Sequence, residues 1–361
     1  MARIGVNALY LIPGNVGGTE IYLRQLLAAL GRIDAANEYF VFTNLETGAD
    51  LVPRQANFQW KPQAVHARFR PARILWEQTV LPLEASRYRL NVLLNPGFTA
   101  PVLAPCPCVT VFHDMQHKRH PEYFRWFDLP FWRLLLWLAA HRSRNLIAVS
   151  EATRADMLHF YSLPAARVAV IPHGVEAEFF SLDRTHLDPY VLCVSTLHPH
   201  KNFERLIRAW ARRKREYRLV ITGVRGFGAQ SIEALIAELR VGDSVQLTGW
   251  VPREEIYRLY ERALASIFPS TFEGFGLPVL EALAAGVPVA CSDIPVLHEV
   301  AGDAALFFDP LDEGAIAASL DRIVSDAALR AQLSAAGPLR ARGFTWERTA
   351  EQTLRVLCGP P

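Results

Sequence analysis

The sequence predicts an α/β chain made of two doubly wound, Rossmann-like domains, each a parallel sheet covered by helices on both faces. Three observations carry this expectation. Short apolar runs of strand length alternate with helical segments along the chain, which argues for parallel sheets rather than hairpins. A strand, a turn and a helix open the chain at residues 4–30, and the same sequence of elements restarts at residue 190. The chain has 361 residues, 51% of them hydrophobic, enough for two domains with sizeable cores and too apolar for disorder.

In chain order, the strand at residues 4–8 leads through Pro13-Gly14-Asn15-Val16-Gly17-Gly18 into a helix ending near residue 30. Gly17 and Gly18 place free amides at a helix start, which suits an anion; a plain loop is the other reading. Further strands are expected at 39–42, 91–94, 109–112, 146–149 and 168–171. The strand at 109–112 ends in His113-Asp114, a histidine at a carboxyl end, where open sheets bind ligands. A structural His–Asp contact is the alternative. Ser150 either caps the helix that follows it or meets a ligand.

Residues 117–144 are basic and aromatic, with Lys118, Arg119, Arg125, Trp126, Trp132, Arg133 and Trp137 among them. Tryptophan beside arginine suits a membrane surface. A buried helix with an arginine-capped end explains the same composition.

The first domain is expected to span 1–178, with 176–189 as the hinge and 188–343 as the second domain. Its first strand, 190–194, feeds Ser195-Thr196-Leu197-His198-Pro199-His200-Lys201-Asn202 and a helix to about 213. A lysine at such a turn stabilises the charge on a departing diphosphate. The strand at 219–222 runs into Gly223-Val224-Arg225-Gly226-Phe227-Gly228, which is not a dinucleotide fingerprint. Arg225 is either a phosphate ligand or part of a surface turn. Strands at 245–248, 263–268 and 305–308, and a final helix in 344–361, complete the pattern, with no internal repeats.

The most informative stretch is 270–289. Leu277, Leu280, Leu283 and Ala284 have helical spacing, and Gly286 ends the helix. Gly274 and Gly276 let the backbone approach a ligand, and the first-turn amides suit a phosphate. Glu273 on the turn and Glu281 one turn into the helix can accept hydrogen bonds from sugar hydroxyls on either side of that phosphate. Such a cradle fits a nucleotide sugar; an ordinary helix cap with a solvated Glu281 is the plain alternative.

The pattern Glu273-Gly274-Phe275-Gly276-Leu277-Pro278 with Glu281 resembles the Glu-x7-Glu signature of the retaining glycosyltransferases of family four, which have the GT-B fold, and the resemblance extends over nearly the whole chain. It implies two facing domains with a C-terminal helix crossing back to the first, the second domain holding the nucleotide sugar and the first the acceptor. By resemblance, Glu273 contacts the donor sugar and Glu281 the ribose. Gly274, Phe275, Gly276 and Leu277 meet the diphosphate through their backbone. His113 faces the hexose near the reacting carbon, and Gly17-Gly18 lies beside the donor and acceptor. His113, Glu273 and Lys201 are thus the catalytic candidates. The family's arginine after the first strand of the second domain is absent. The turn is similar to a subgroup reading Pro-Arg-Lys-Asn, with His200 in place of the arginine, which leaves the diphosphate one fixed charge short unless His200 is protonated or Arg225 fills the gap.

That subgroup includes mannosyltransferases of O-antigen and exopolysaccharide assembly. The expected reaction is therefore hexose transfer with retention, from GDP-mannose to a hydroxyl of a glycan or lipid-linked acceptor, with no metal and no further cofactor. A UDP- or dTDP-sugar transferase of the same fold, or a catalytically decayed nucleotide-sugar-binding protein, are the alternatives. The Glu-x7-Glu stretch speaks against an epimerase, and the missing fingerprint against a dehydrogenase.

A net charge of +2 does not argue for nucleic acid as a partner. The five cysteines are odd in number and lack zinc spacing, which fits reduced thiols. A strand stands where a signal peptide would have its apolar core. The longest apolar stretch, 127–140, is broken by Asp128 and Arg133 and falls short of the ~20 residues a bilayer span needs. The expected location is cytoplasmic, with peripheral contact at the inner membrane surface left open beside the buried-helix reading.

Overall fold

The computed structural model describes residues 1–14, 17–213, 216–224, 226 and 228–359. It divides into two compact units, Met1–Gly174 with Thr345–Pro361, and Val175–Phe344. The first unit contains β1 (Arg3–Ala8), α1 (Gly18–Ile33), β2 (Glu38–Thr43), β3 (Phe58–Pro62), α2 (Arg70–Arg87), β4 (Val92–Asn95), β5 (Cys108–Phe112), α3 (Gln116–Arg119), α4 (Leu129–Arg142), β6 (Asn145–Ala148), α5 (Glu151–Tyr161) and β7 (Val168–Val170). The second contains β8 (Asp188–Val194), α6 (Phe203–Ala211), β9 (Arg218–Thr222), α7 (Ala229–Glu238), β10 (Val245–Gly249), α8 (Arg253–Arg262), β11 (Ala263–Phe268), α9 (Leu277–Ala284), β12 (Val289–Ser292), α10 (Pro295–Ala301), β13 (Leu306–Phe308), α11 (Glu313–Ser325) and α12 (Ala327–Ala341). The last helix, α13 (Trp346–Cys358), belongs to the first unit.

Both sheets are parallel throughout, as expected of short, largely apolar strands joined by helices. The order is β3-β2-β1-β4-β5-β6-β7 in the first unit and β10-β9-β8-β11-β12-β13 in the second. The order reverses between β1 and β4 in one sheet and between β8 and β11 in the other. A crevice for ligands opens outside the carboxyl ends at each of these points.

The sequence reading missed β3. Its residues Phe-Gln-Trp-Lys-Pro pair with β2 from Tyr39↔Phe58 to Thr43↔Pro62. It is an edge strand, so Trp60 and Pro62 stand exposed and a proline without an N–H is tolerated. Residues 176–187 pack into the second unit. Phe179 is buried against Tyr257 and Tyr260, and Arg184 donates to the Ala263 carbonyl at 2.9 Å. Helix α13 starts at Thr345, whose hydroxyl caps it by accepting from Arg348 N. Its first turn docks through Arg32–Glu347 at 2.6 Å and through Thr349 Oγ1 donating to the Pro172 carbonyl at 2.8 Å.

All five cysteines are free, three of them buried and Cys358 exposed. Among the described residues no helix is long and apolar enough to cross a membrane.

Candidate functional site

At the switch point of the second sheet, two turns meet. The turn after β8 ends in a single 3-10 turn, Pro199–Lys201, which Asn202 closes at φ 60°. Asn202 Nδ2 donates to the carbonyls of Pro269 at 3.0 Å and Pro310 at 2.7 Å. Thr271 N donates to the His200 carbonyl at 2.8 Å. These bonds fuse the turn after β8 to the turn after β11. Lys201 Nζ, carried on the first, donates to Glu273 Oε1 on the second at 2.5 Å, with both side chains mostly buried. The ammonium also lies 5.4 Å from the centre of the Phe268 ring. The sequence places Lys201 and Glu273 on a ligand; in the fold they hold each other.

Helix α9 begins directly after. Gly276 has φ +104°, and a Cβ there would meet Leu297 Cδ2 at 2.6 Å, so only glycine fits. Pro278 occupies the first turn, where no intrahelical donor is needed. Leu277 is buried, and Phe275 packs on Phe344 with ring centres 6.1 Å apart. Gly286, with φ +66°, ends the helix as its sequence position suggests.

Glu281 is not solvated: it is 2% exposed. Its Oε1 accepts from Arg253 Nη2 at 2.6 Å, and its Oε2 accepts from the Tyr260 hydroxyl at 3.4 Å. Arg253, at the start of α8, also pairs with Glu176 and lies over the Phe179 and Tyr257 rings at 4.9 and 5.4 Å. Burial disfavours the charge on Arg253, but Glu281 and Glu176 outweigh it and raise its pKa. Burial raises the Glu281 carboxyl against the lowering effect of Arg253, and the nearby Glu176 adds to the rise. The sequence reading did not single out Arg253, Glu176 or Tyr260.

Two hydroxyls at the same switch point were also missed. Ser195 Oγ, after β8, and Ser270 Oγ, after β11, are buried with no hydrogen-bond partner among the described residues. A buried hydroxyl left unpaired costs about 1–3 kcal/mol unless water or a ligand completes it. His200 contributes its carbonyl to the junction, and its ring stacks on His198 at 5.9 Å. Burial, and then Lys201, lower the His198 pKa. Arg225 lies outside the described residues. Among the described residues no group of three or more His, Cys, Asp or Glu is arranged to hold a metal ion.

In the first unit, His113 follows β5 and is buried. Its Nε2 lies 2.8 Å from the Pro96 carbonyl, which can only accept, so Nε2 carries the proton and Nδ1 is left as an acceptor. Nδ1 is buried and has no hydrogen-bond partner among the described residues. Tyr22, Phe98 and His173 surround the ring at centre distances of 4.9, 5.3 and 5.6 Å. Burial pushes the His113 pKa down to about 4, so the ring is neutral at pH 7. Asp114 Oδ1 accepts from Gln116 N at 2.9 Å. Gly17, with φ +57°, precedes α1, and a Cβ at Gly17 or Gly18 would meet nothing within 4 Å among the described residues. Ser150 caps α5 by accepting from Thr153 N.

The basic aromatic stretch forms α3, α4 and the loop between them. Helix α4 buries Leu129, Leu135, Leu136, Ala139 and Ala140, yet Phe131, Leu134 and Trp137 on its other faces are exposed. Trp126 is 84% exposed and Phe127 56%. An aromatic face in water is a departure from the buried-helix explanation.

Comparison with known proteins gives matching results for both halves. Residues 16–179 match the family described as Glycosyltransferase Family 4, and residues 175–340 the family described as Glycosyl transferases group 1. The O-antigen chain mannosyltransferase B of Escherichia coli is 30% identical over 263 residues, which cover 69% of each chain. The O-antigen chain mannosyltransferase RfbU of Salmonella typhimurium is 31% identical over 201 residues, 56% of each chain. Among solved structures, HepE of Anabaena in complex with UDP and glucose superposes with a TM-score of 0.77 at 18% identity, over all of both chains. WaaG, a glycosyltransferase involved in lipopolysaccharide biosynthesis, gives 0.74 at 16% identity, over 99% of this chain and 100% of its own.

Proposed function

The chain belongs to the family-four glycosyltransferases, with a group 1 domain and the GT-B fold, and on that premise we propose that it is a retaining mannosyltransferase using GDP-mannose. The observation that carries the reading is the Lys201–Glu273 pair at the second sheet's switch point, eight residues before the buried Glu281. Lys201 binds the diphosphate, together with the α9 amides that begin at Gly276 and Leu277, and its charge is most effective as the leaving group departs. Glu273, drawn off the lysine, accepts from sugar hydroxyls, and Glu281 accepts from the ribose. Ser195 and Ser270 supply the unused hydroxyls. His113 accepts a sugar hydroxyl at Nδ1.

The bond from the anomeric carbon to the diphosphate oxygen breaks, and a bond to the acceptor oxygen forms on the same face. The acceptor's proton passes to the departing diphosphate. The names of the mannosyltransferase relatives support mannose and a cell-surface glycan as acceptor.

Thermal shift of the full chain against GDP, UDP, dTDP and ADP, with and without EDTA, tests the donor, since a ligand of the native state raises Tm by mass action. A shift with GDP alone, unchanged by EDTA, is expected. A shift with UDP or dTDP instead overturns the mannose donor and leaves the fold family intact; silence from all four favours a decayed site. NMR of the product's anomeric coupling tests retention.

The exposed face of α4, with Trp126 and Phe127, belongs on this reading against an anionic membrane surface. Residues 117–144 hold six Lys and Arg against two acidic residues. Co-sedimentation with phosphatidylglycerol-containing vesicles is expected, weakened at high salt and lost in Trp126→Ser/Trp137→Ser. Equal pelleting of that variant overturns the assignment.

A further inference from the structure

The first unit holds a buried arginine that no acceptor among the described residues engages. Arg73, in the first turn of α2, is 6% exposed, and none of its side-chain nitrogens reaches a hydrogen-bond acceptor or a carboxylate among the described residues. Glu77, one turn further along α2, is committed elsewhere. Its Oε2 accepts from Asn7 Nδ2 at 3.0 Å and Thr99 Oγ1 at 2.9 Å, and its Oε1 from Gln78 Nε2 at 3.3 Å. The other charges and titratable groups that act on Arg73 are Arg70, which repels it, and Tyr10. A guanidinium has five donors and keeps its charge, so a buried one without acceptors is costly. Yet its nitrogens are not among the polar atoms sealed from solvent. The group is buried and still reachable.

Its place in the fold is that of a ligand-binding group. Asn7 near the end of β1 donates to Asn95 at the end of β4 at 3.1 Å, and Asn7 also ties Glu77 to this junction. The strand order reverses between β1 and β4, so this network floors the crevice of the first sheet. Helix α2 runs back along the sheet from the carboxyl ends of the strands, which puts its first turn, and Arg73, at that crevice.

We propose that Arg73 binds a phosphoryl group carried by the acceptor, with Arg70 as the second cation at the same site. This rests on the first unit being the acceptor unit. The planar fork of a guanidinium matches two oxygens of a phosphate, and two arginines suit a dianion better than a single carboxylate. The Arg70 guanidinium lies 5.1 Å from the centre of the Trp132 ring on α4, whose outer face is aromatic and exposed. An amphiphilic acceptor therefore finds its phosphate and alkyl positions on neighbouring elements.

The test is calorimetric titration of the full chain with farnesyl diphosphate and with inorganic pyrophosphate, in a Lys201→Gln background that weakens the diphosphate site of the second unit. Adding Arg73→Gln is expected to weaken binding about 10- to 100-fold, the range for a charge-assisted hydrogen bond, while Arg73→Lys retains more of it. Tighter binding of farnesyl diphosphate than of pyrophosphate assigns the phosphate to a lipid-linked acceptor, and equal binding assigns it to a phosphorylated glycan; both support the site. Unchanged affinity on adding Arg73→Gln overturns it. Without ligand, Arg73→Gln is expected to keep or raise Tm, because an unpaired buried charge is removed. A fall of more than about 4 °C shows a structural arginine and overturns the proposal as well. Donor binding by the single Arg73→Gln variant is expected to be unchanged. A wild-type chain that binds no GDP speaks against the mannosyl donor without touching the outcome of the diphosphate titration.

Discussion

Arg253→Met tests the energetics of the second unit most directly. The guanidinium is the shared cation of Glu176 and Glu281, whose side chains are 9% and 2% exposed. Methionine keeps the stem against Phe179 and Tyr257 but leaves two buried carboxylates facing each other. Removing one partner of a buried ion pair costs about 3–5 kcal/mol. At about 2–4 °C per kcal/mol for a domain of this size, the second unit should melt about 6–20 °C lower at pH 8.

The pH dependence has a definite sign. The folded-state pKa of Glu281 is already raised by burial, and loss of Arg253 raises it further. A carboxyl with a raised folded pKa contributes stability below its unfolded pKa, and that contribution is lost as pH rises through the folded pKa. The deficit of the variant should therefore narrow towards pH 5 and widen towards pH 8. Thermal unfolding followed by circular dichroism at both pH values, for wild type, Arg253→Met and Arg253→Met/Glu281→Gln, checks this. The double variant should recover more than half of the loss at pH 8. A single variant within about 1 kcal/mol of wild type, or a double variant no better than the single, would refute the reasoning.

Three further outcomes are expected. Glu273→Gln should lower transfer about 100-fold or more with an unchanged circular dichroism spectrum, and near-normal turnover would remove Glu273 from the mechanism. Gly276→Ala should destabilise the second unit by about 1–3 kcal/mol and weaken nucleotide binding in thermal shift, since φ +104° is strained for alanine and Leu297 blocks its Cβ. His113, held neutral with a pKa of about 4, must gain a proton on unfolding below pH 6.5, so stability falls as pH drops from 7 to 5. His113→Gln should remove about 2 kcal/mol of that fall in denaturant titrations, and an unaltered acid slope would show that the ring is not held neutral by the fold.

Much of the architecture was legible because it depends on local pattern. The strand expected at 263–268 is β11 itself, and Gly286 ends α9 where its position indicated. The glycine at 276 was readable as a close approach, since few other causes put a glycine at the first turn of an apolar helix. Strand β3 was not legible, because an edge strand with one face in water lacks the continuous apolar run that marks its neighbours. The outer face of α4 was ambiguous for the opposite reason. A helix apolar on every side reads as buried, and composition alone does not say which sides the core covers.

By itself the sequence determined that two parallel α/β units would form, that a glycine turn and helix in the second would present two glutamates, and that a lysine and a histidine would stand at strand ends. Spacing decides these features because strand, turn and helix are local. Only the tertiary structure decided what those side chains touch. Lys201 and Glu273 are 72 residues apart, and Arg253 lies 28 residues from Glu281 and 77 from Glu176. The strand order brings them together, and burial then fixes their charges. The same holds for Ser195 and Ser270, and for Arg73, which are ordinary residues in the sequence. Their donors go unsatisfied because the fold seals the two hydroxyls from water, buries most of the arginine, and places no acceptor beside any of them among the described residues.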